Sequence, residues 1–219
     1  MFEMLKRGTG IVVDPMVEAD IPRTFPAVLY GDIESLASSL REVLTAYQAY
    51  RPDIGYVQGM SYVAGMLLLH CGPPDACFKV FCNILNMELV SSFYSFDMEE
   101  INRTYKVFWK LLRQHMPLFY TALRGDQVSC HAFLFEWVAT LFTCALDLEP
   151  CAYLWDQVLY SGELFLLKGA LAICSVLQEV HFTELQAGAD PLKFIKDARK
   201  HVTKDKLEGV LTSKRVSGA

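Results

Sequence analysis

Residues 51–60 read Arg-Pro-Asp-Ile-Gly-Tyr-Val-Gln-Gly-Met, an unusual composition for a plain connecting loop. Pro52 fixes one backbone angle, Gly55 and Gly59 supply freedom on either side, and Gln58 places an uncharged amide between them. From Met60 the text turns apolar, through Val63-Ala64-Gly65-Met66 to Leu67-Leu68-Leu69, so Gln58 stands at the mouth of a helix expected to be buried. Backbone N–H groups at such an entrance lack intrahelical partners and favour anions. A glutamine donates and accepts hydrogen bonds at once, which suits it to holding a water beside a phosphate. It does not titrate, so it cannot serve as a general base, and position is all it contributes. The plainer alternative is an amide that caps the helix.

The second candidate is Arg23, in a segment stiffened by Pro22 and Pro26 with Asp20 three positions before it. A stiff segment lowers the entropy lost when a long side chain is held out toward a partner. Asp20 can steer the guanidinium through a hydrogen-bonded ion pair. The alternative is an ordinary surface salt bridge, which contributes little.

Other constellations are weaker. Cys71, Cys77 and Cys82, with His70 adjacent and Cys130-His131 further on, lack the close C-x₂-C pairs usual for zinc and read as small hydrophobes on helices. Glu18 and Asp20 are close carboxylates, and Glu99-Glu100 reads as helix-start charge. The sequence contains no G-x-x-x-x-G-K-S/T phosphate loop, so nucleotide binding by this chain alone is not expected. No nucleophile elbow of a Ser–His–Asp or Cys–His type is present either.

The elements that must position Arg23 and Gln58 read as helices throughout. Residues 20–26 are expected as a stiff loop, because each proline biases its predecessor toward extended geometry. A helix fits 33–50, with Leu36, Leu40, Val43, Leu44 and Tyr47 on one face, Asp32 as its N-cap and Arg51-Pro52 as its stop. The buried helix from Met60 ends at Cys71-Gly72-Pro73-Pro74, and Asp75 is placed to cap the next. Asp97 with Glu100 resembles a capping box, followed by a stripe of Met98, Ile101, Tyr105, Phe108 and Leu112. Ser129 is expected to open a helix, 147–162 forms another, and 163–180 is apolar enough to be central. From Asp190 lysines and arginines interleave with acids, most simply as a solvated face. Period-2 alternation is nowhere sustained, which points to an all-α fold in one multi-helix domain with no linker long enough to divide it.

Composition sets the outer bounds. At 219 residues, 53% hydrophobic and 12% aromatic, the chain can bury a substantial core and is not of the disordered class. A net charge of −5 argues against a nucleic-acid surface. Seven cysteines without regular spacing suit a reducing, cytoplasmic setting. The longest apolar run, 60–71, falls short of the roughly 20 residues a membrane span needs, so no integral membrane segment is expected.

Two stretches carry a family resemblance. Val17-Glu18-Ala19-Asp20-Ile21-Pro22-Arg23, continuing Thr24-Phe25-Pro26, is similar to the I-x-x-D-x-x-R fingerprint of the TBC domain of Rab GTPase-activating proteins. Residues 51–60 resemble that family's Y-x-Q-G-M fingerprint with its preceding R-P-D-x-G. Glu136-Trp137, Thr140-Leu141-Phe142, Leu148-Glu149 and Trp155-Asp156 follow in the family's order, so the likeness covers 17–177. Asp147 stands where proline is frequent in the family, and the stretch before the first fingerprint is short: residues 1–16 read as an arm or remnant ahead of a TBC domain over 17–219.

The resemblance implies an all-helical domain, truncated at its N-terminal end, that hydrolyses nothing alone. It would insert two residues into a Rab protein, Arg23 as an arginine finger and Gln58 as a glutamine finger. Asp20, Thr24, Arg51, Asp53, Tyr56 and Gly59 would support the fingers or face the partner. GTP and magnesium would be carried by the Rab GTPase, with no cofactor on this chain. A role in vesicle trafficking, cytoplasmic or peripheral to endomembranes, would follow. The alternative is a TBC-type binding module or scaffold that docks a GTPase or other protein without accelerating hydrolysis.

Overall fold

In the computed structural model, residues 1–7, 14–24 and 33–213 are described, and among them the regular structure is entirely helical. The chain divides into two compact units, Met1–Ser95 and Phe96–Ala219.

The first unit is built on three packed helices, α3 (Ile33–Tyr50), α4 (Met60–Cys71) and α5 (Pro74–Leu85). Short helices α1 (Phe2–Arg7) and α2 (Pro15–Asp20) lie against α3, and α6 (Glu88–Tyr94) against α5. The stripe predicted for α3 is real: Leu40, Val43, Leu44 and Tyr47 are buried, with Tyr47 edge-on to Phe81 of α5. Helix α4 is apolar around most of its circumference and is buried accordingly, from Met60 through Leu68 apart from Tyr62. Its exit is Gly72 at φ 75°, the left-handed backbone that glycine tolerates at a helix end. Phe2 anchors α1 by packing its ring 5.3 Å from that of Phe78.

Several expectations need correction. Residues 20–23 are not loop: α2 runs to Asp20 and Ile21–Arg23 forms a single 3₁₀ turn. Pro15 occupies the first position of α2 and Pro22 the second of the 3₁₀ turn, both within a first turn where the missing N–H costs nothing. Helix α5 begins at Pro74 with Pro73 as its N-cap, so Asp75 sits in the first turn, favouring the dipole rather than capping. Asp32, the expected cap of α3, and the apolar run Ile11-Val12-Val13 lie outside the described residues, as does Pro26.

The second unit wraps helices around α11 (Phe165–Val180), which is buried continuously from Leu166 to Leu177 apart from Lys168. Around it lie α7 (Met98–His115), α8 (Pro117–Gly125), α9 (Leu134–Ala139), α10 (Leu148–Ser161) and the short helices α12 (Phe182–Gln186), α13 (Pro191–Lys196), α14 (Ala198–His201) and α15 (Lys204–Thr212). Asp97 caps α7 as predicted, accepting from the backbone N–H groups of Glu99 and Glu100. Ser129 does not open a long helix; it caps a 3₁₀ turn over Cys130–Ala132, and α9 starts only at Leu134. After α9 the backbone turns through Leu141 at φ 48° and Phe142 at φ 67°, and the Trp155 indole N–H donates to the Leu141 carbonyl at 2.9 Å. Cys77, Cys130 and Cys151 are buried, and burial pushes each thiol up to about 12, so they pack as protonated, inert side chains. No single helix among the described residues is long and apolar enough to cross a membrane.

Candidate functional site

Gln58 sits at the apex of a tight turn. Met60 N–H donates to the Val57 carbonyl at 3.1 Å, and Gly59, third in the turn, has φ 100° and ψ −20°. Those angles match the third position of a type II turn, which glycine fills without strain. Gly59 is also the N-cap of α4, and no side chain caps that helix. The capping role for Gln58 is therefore not the one it adopts: its side chain is exposed and makes no hydrogen bond among the described residues. The turn holds the amide out on the buried end of α4.

Arg23 closes the 3₁₀ turn that follows α2. Its Nε donates to the Ala19 carbonyl at 3.0 Å and its Nη2 to Asp20 Oδ1 at 2.8 Å. The Arg23 side chain is nonetheless 63% exposed, against 8% for Asp20. One edge of the guanidinium is thus fixed on the protein while Nη1 is left for solvent or a ligand. The planar fork makes this division possible, because its donors point in fixed directions.

Asp20 joins the Arg23 turn to the 51–60 loop. Its second carboxylate oxygen, Oδ2, accepts from the Tyr56 hydroxyl at 2.7 Å, across 36 positions of sequence. Burial, reinforced by the neighbouring carboxylate, pushes the Tyr56 phenol well above its ordinary range, so it stays protonated and donates. Thr24 is buried and its hydroxyl donates to the Asp20 carbonyl at 2.9 Å, bracing the turn from inside. A further tie was not anticipated: Tyr62, in the first turn of α4, donates its hydroxyl to the Arg23 carbonyl at 3.3 Å. Gln58 is therefore flanked by Tyr56 on one side and Tyr62 on the other, and both reach the Asp20–Arg23 turn.

Arg51 and Asp53 belong to a separate brace. The Arg51 guanidinium grips Asp53 through Nε and Nη2, at 2.9 and 2.8 Å, and reaches Asn86 with Nη1 at 3.2 Å. The hydrogen bond from Arg51 holds the Asp53 carboxyl below its usual range. This pair, with Gly55 N–H on the Arg51 carbonyl at 2.8 Å, shapes the start of the 51–60 loop and makes no described bond to Asp20 or Arg23. Glu18 does not form a carboxylate pair with Asp20. It forks with Arg41 of α3, Nη2 to Oε2 at 2.8 Å, and so fastens α2 to the core. Among the described residues no group of three or more His, Cys, Asp or Glu is arranged to hold a metal ion.

The chain matches the Rab-GTPase-TBC domain family over residues 13–182, which takes in every residue of this site. TBC1 domain family member 14 of Bos taurus is 31% identical over 166 residues, 75% of this chain and 24% of that protein. Drainin of Dictyostelium discoideum is 33% identical over 159 residues, 72% of this chain and 36% of its own length. The chain thus spans about a quarter of the first of these relatives. In fold, the Chlamydomonas flagellar RabGAP TBC domain superposes with a TM-score of 0.78 over 96% of this chain and 70% of its own, at 21% identity. The Ypt/Rab-GAP domain of Gyp1p gives 0.70 over 96% and 75%, at 18% identity. With the family matched across most of its length and the all-α fold shared, the chain belongs to the RabGAP-TBC family.

Proposed function

We propose that this domain stimulates GTP hydrolysis by a Rab-type small GTPase, presenting Arg23 and Gln58 in trans to a nucleotide and magnesium ion that the GTPase carries. The observation that carries this reading is the division of the Arg23 guanidinium, anchored through Nε and Nη2 while the side chain stays 63% exposed beside the turn that displays Gln58. Hydrolysis of GTP is catalysed mainly by positioning and by offsetting negative charge on the phosphoryl oxygens. A permanently protonated guanidinium serves the second need. An amide that donates and accepts can orient the attacking water. Asp20 and Tyr56 act as positioning residues, and Arg51 with Asp53 stiffens the loop. Family membership supports the same reading, as does the function named for the fold neighbour, a flagellar RabGAP. Action at the cytoplasmic face of trafficking membranes follows from it.

The test is single-turnover GTP hydrolysis across a panel of Rab proteins. Wild type should accelerate at least one of them, and an arginine finger is worth roughly 10³–10⁵ in rate. Arg23→Ala and Gln58→Ala should each remove most of that acceleration with the fold intact by circular dichroism. Arg23→Lys should fail as well, because lysine keeps the charge and loses the planar fork. Full stimulation by these variants would refute the assignment.

A further inference from the structure

Asp20 holds the guanidinium of Arg23, but a side chain is placed only as well as the main chain that carries it. Ile21–Arg23 is a single 3₁₀ turn, a short element whose hydrogen bonds are less well aligned than those of an α-helix. Its closing bond runs from the Thr24 N–H to the Ile21 carbonyl at 3.2 Å. Arg23 ends the turn, so its own carbonyl has no partner within it. That carbonyl is the group to which the Tyr62 hydroxyl donates, at 3.3 Å.

Tyr62 reaches it from a firm base. It is half-buried at the third position of α4, between Ser61 and Val63, which are both fully buried. Its N–H donates to the Gly59 carbonyl at 3.1 Å, closing the first turn of α4 onto the residue next to Gln58. One residue is thus bonded through its hydroxyl to the main chain of Arg23 and through its backbone to the main chain beside Gln58. The phenol ring between these bonds is rigid, which keeps the entropy cost of holding it low.

We infer that Tyr62 is a positioning residue that fixes the main chain of Arg23 relative to that of Gln58, while Asp20 sets the direction of the guanidinium. Its effect on rate rests on Arg23 and Gln58 acting together in GTP hydrolysis, as proposed. Groups that must converge on one phosphate tolerate little error, since a displacement of about 1 Å can cost about 10²-fold.

Tyr62→Phe keeps the ring and removes the hydroxyl, and two assays on the full chain test its effect. In single-turnover hydrolysis by a responsive Rab protein, the maximal stimulated rate should fall about tenfold, with the half-maximal concentration of this domain changed by less than about twofold. On the Arg23→Ala background the same substitution should cost less than about twofold, because no guanidinium is left to place. In limited trypsin digestion followed by mass spectrometry, cleavage between Arg23 and Thr24 should be about fivefold faster than in wild type, while cleavage at sites in the second unit is unchanged. Unchanged cleavage after Arg23 would overturn the inference. So would a loss confined to the half-maximal concentration, which would make Tyr62 a contact with the GTPase, or a full tenfold loss on the Arg23→Ala background. If wild type stimulates no Rab protein, the finger assignment falls by itself, and the rate of cleavage after Arg23 still decides whether Tyr62 holds that main chain.

Discussion

The Tyr56 hydroxyl donates to Asp20 Oδ2 at 2.7 Å, while Asp20 Oδ1 accepts from Arg23 at 2.8 Å. One buried carboxylate thus spans the segment that carries Arg23 and the loop that carries Gln58. Tyr56→Phe keeps the ring and its packing and removes only the donor, leaving a carboxylate oxygen buried without its partner. The expected loss of stability is about 1–3 kcal/mol, read from the midpoint of urea denaturation. The catalytic expectation is larger in proportion, a fall in stimulated hydrolysis of about tenfold with the affinity for the GTPase little changed. Asp20→Asn should behave similarly, since an amide can accept from only one of the two donors.

Gly59 fixes where Gln58 is displayed. At φ 100° a Cβ is strained whatever space surrounds it, and the cost is about 1–3 kcal/mol. Gly59→Ala should therefore relax toward an ordinary turn and carry Gln58 with it. The measurement is paired: thermal midpoint for the strain, and GTP hydrolysis for the displacement. Losing activity while Gln58→Ala on the same background causes no further loss would place the two residues on one pathway.

Most of the helices, and the exposed placement of Arg23 and Gln58, were legible because their signals are local. The stripe of α3, the apolar run of α4 and the Asp97 cap follow from spacing and residue type alone. Gln58 at the mouth of α4 could be read from the Gln-Gly-Met transition. What escaped is long-range or conditional. The Tyr62 tie to the Arg23 carbonyl depends on a packing arrangement across 39 positions that no local pattern encodes. The fork between Arg41 and Glu18 has the same character, with 23 positions between partners. Residues 20–23 differ for another reason: proline opposes helix at the residue before it, yet Ile21 is helical ahead of Pro22 because proline is accepted within the first turn of a new helix, and the sequence alone does not say which effect prevails.

Gly169 of α11 is closely packed against its neighbours in the second unit. A Cβ there would lie 3.0 and 3.1 Å from two ring atoms of Phe142 and 3.7 Å from Leu154. Alanine normally stabilises a helix relative to glycine by roughly 1 kcal/mol. Here the Phe142 ring is fully buried and its backbone is held at φ 67°, with its N–H on the Trp137 carbonyl at 2.7 Å, so it has little room to retreat. Overpacking of this kind costs about 1–3 kcal/mol, and Gly169→Ala should be net destabilising. Combining it with Phe142→Leu should show positive coupling in a double-mutant cycle, because the smaller side chain vacates the space the new methyl needs.

His181, between α11 and α12, gives the second unit a pH dependence of definite sign. Its ring is buried, stacked on Phe194 with centroids 3.9 Å apart, and set edge-on to His201 at 4.6 Å. Glu184 approaches Nδ1 only to 3.8 Å, and Asp197 is the other carboxylate nearby. Burial, with His201 adding to it, lowers the pKa below its ordinary 6.5, outweighing both acids. The unfolded chain therefore binds a proton at this residue before the folded chain does. Stability should be fully present above about pH 6.5 and fall as the pH drops toward the depressed folded value. Urea midpoints across that interval should decline for wild type. His181→Phe, which keeps the stacking surface and cannot be protonated, should flatten the slope while leaving the carboxylate-driven loss at lower pH in place. An unchanged slope in that variant would assign the dependence to another group.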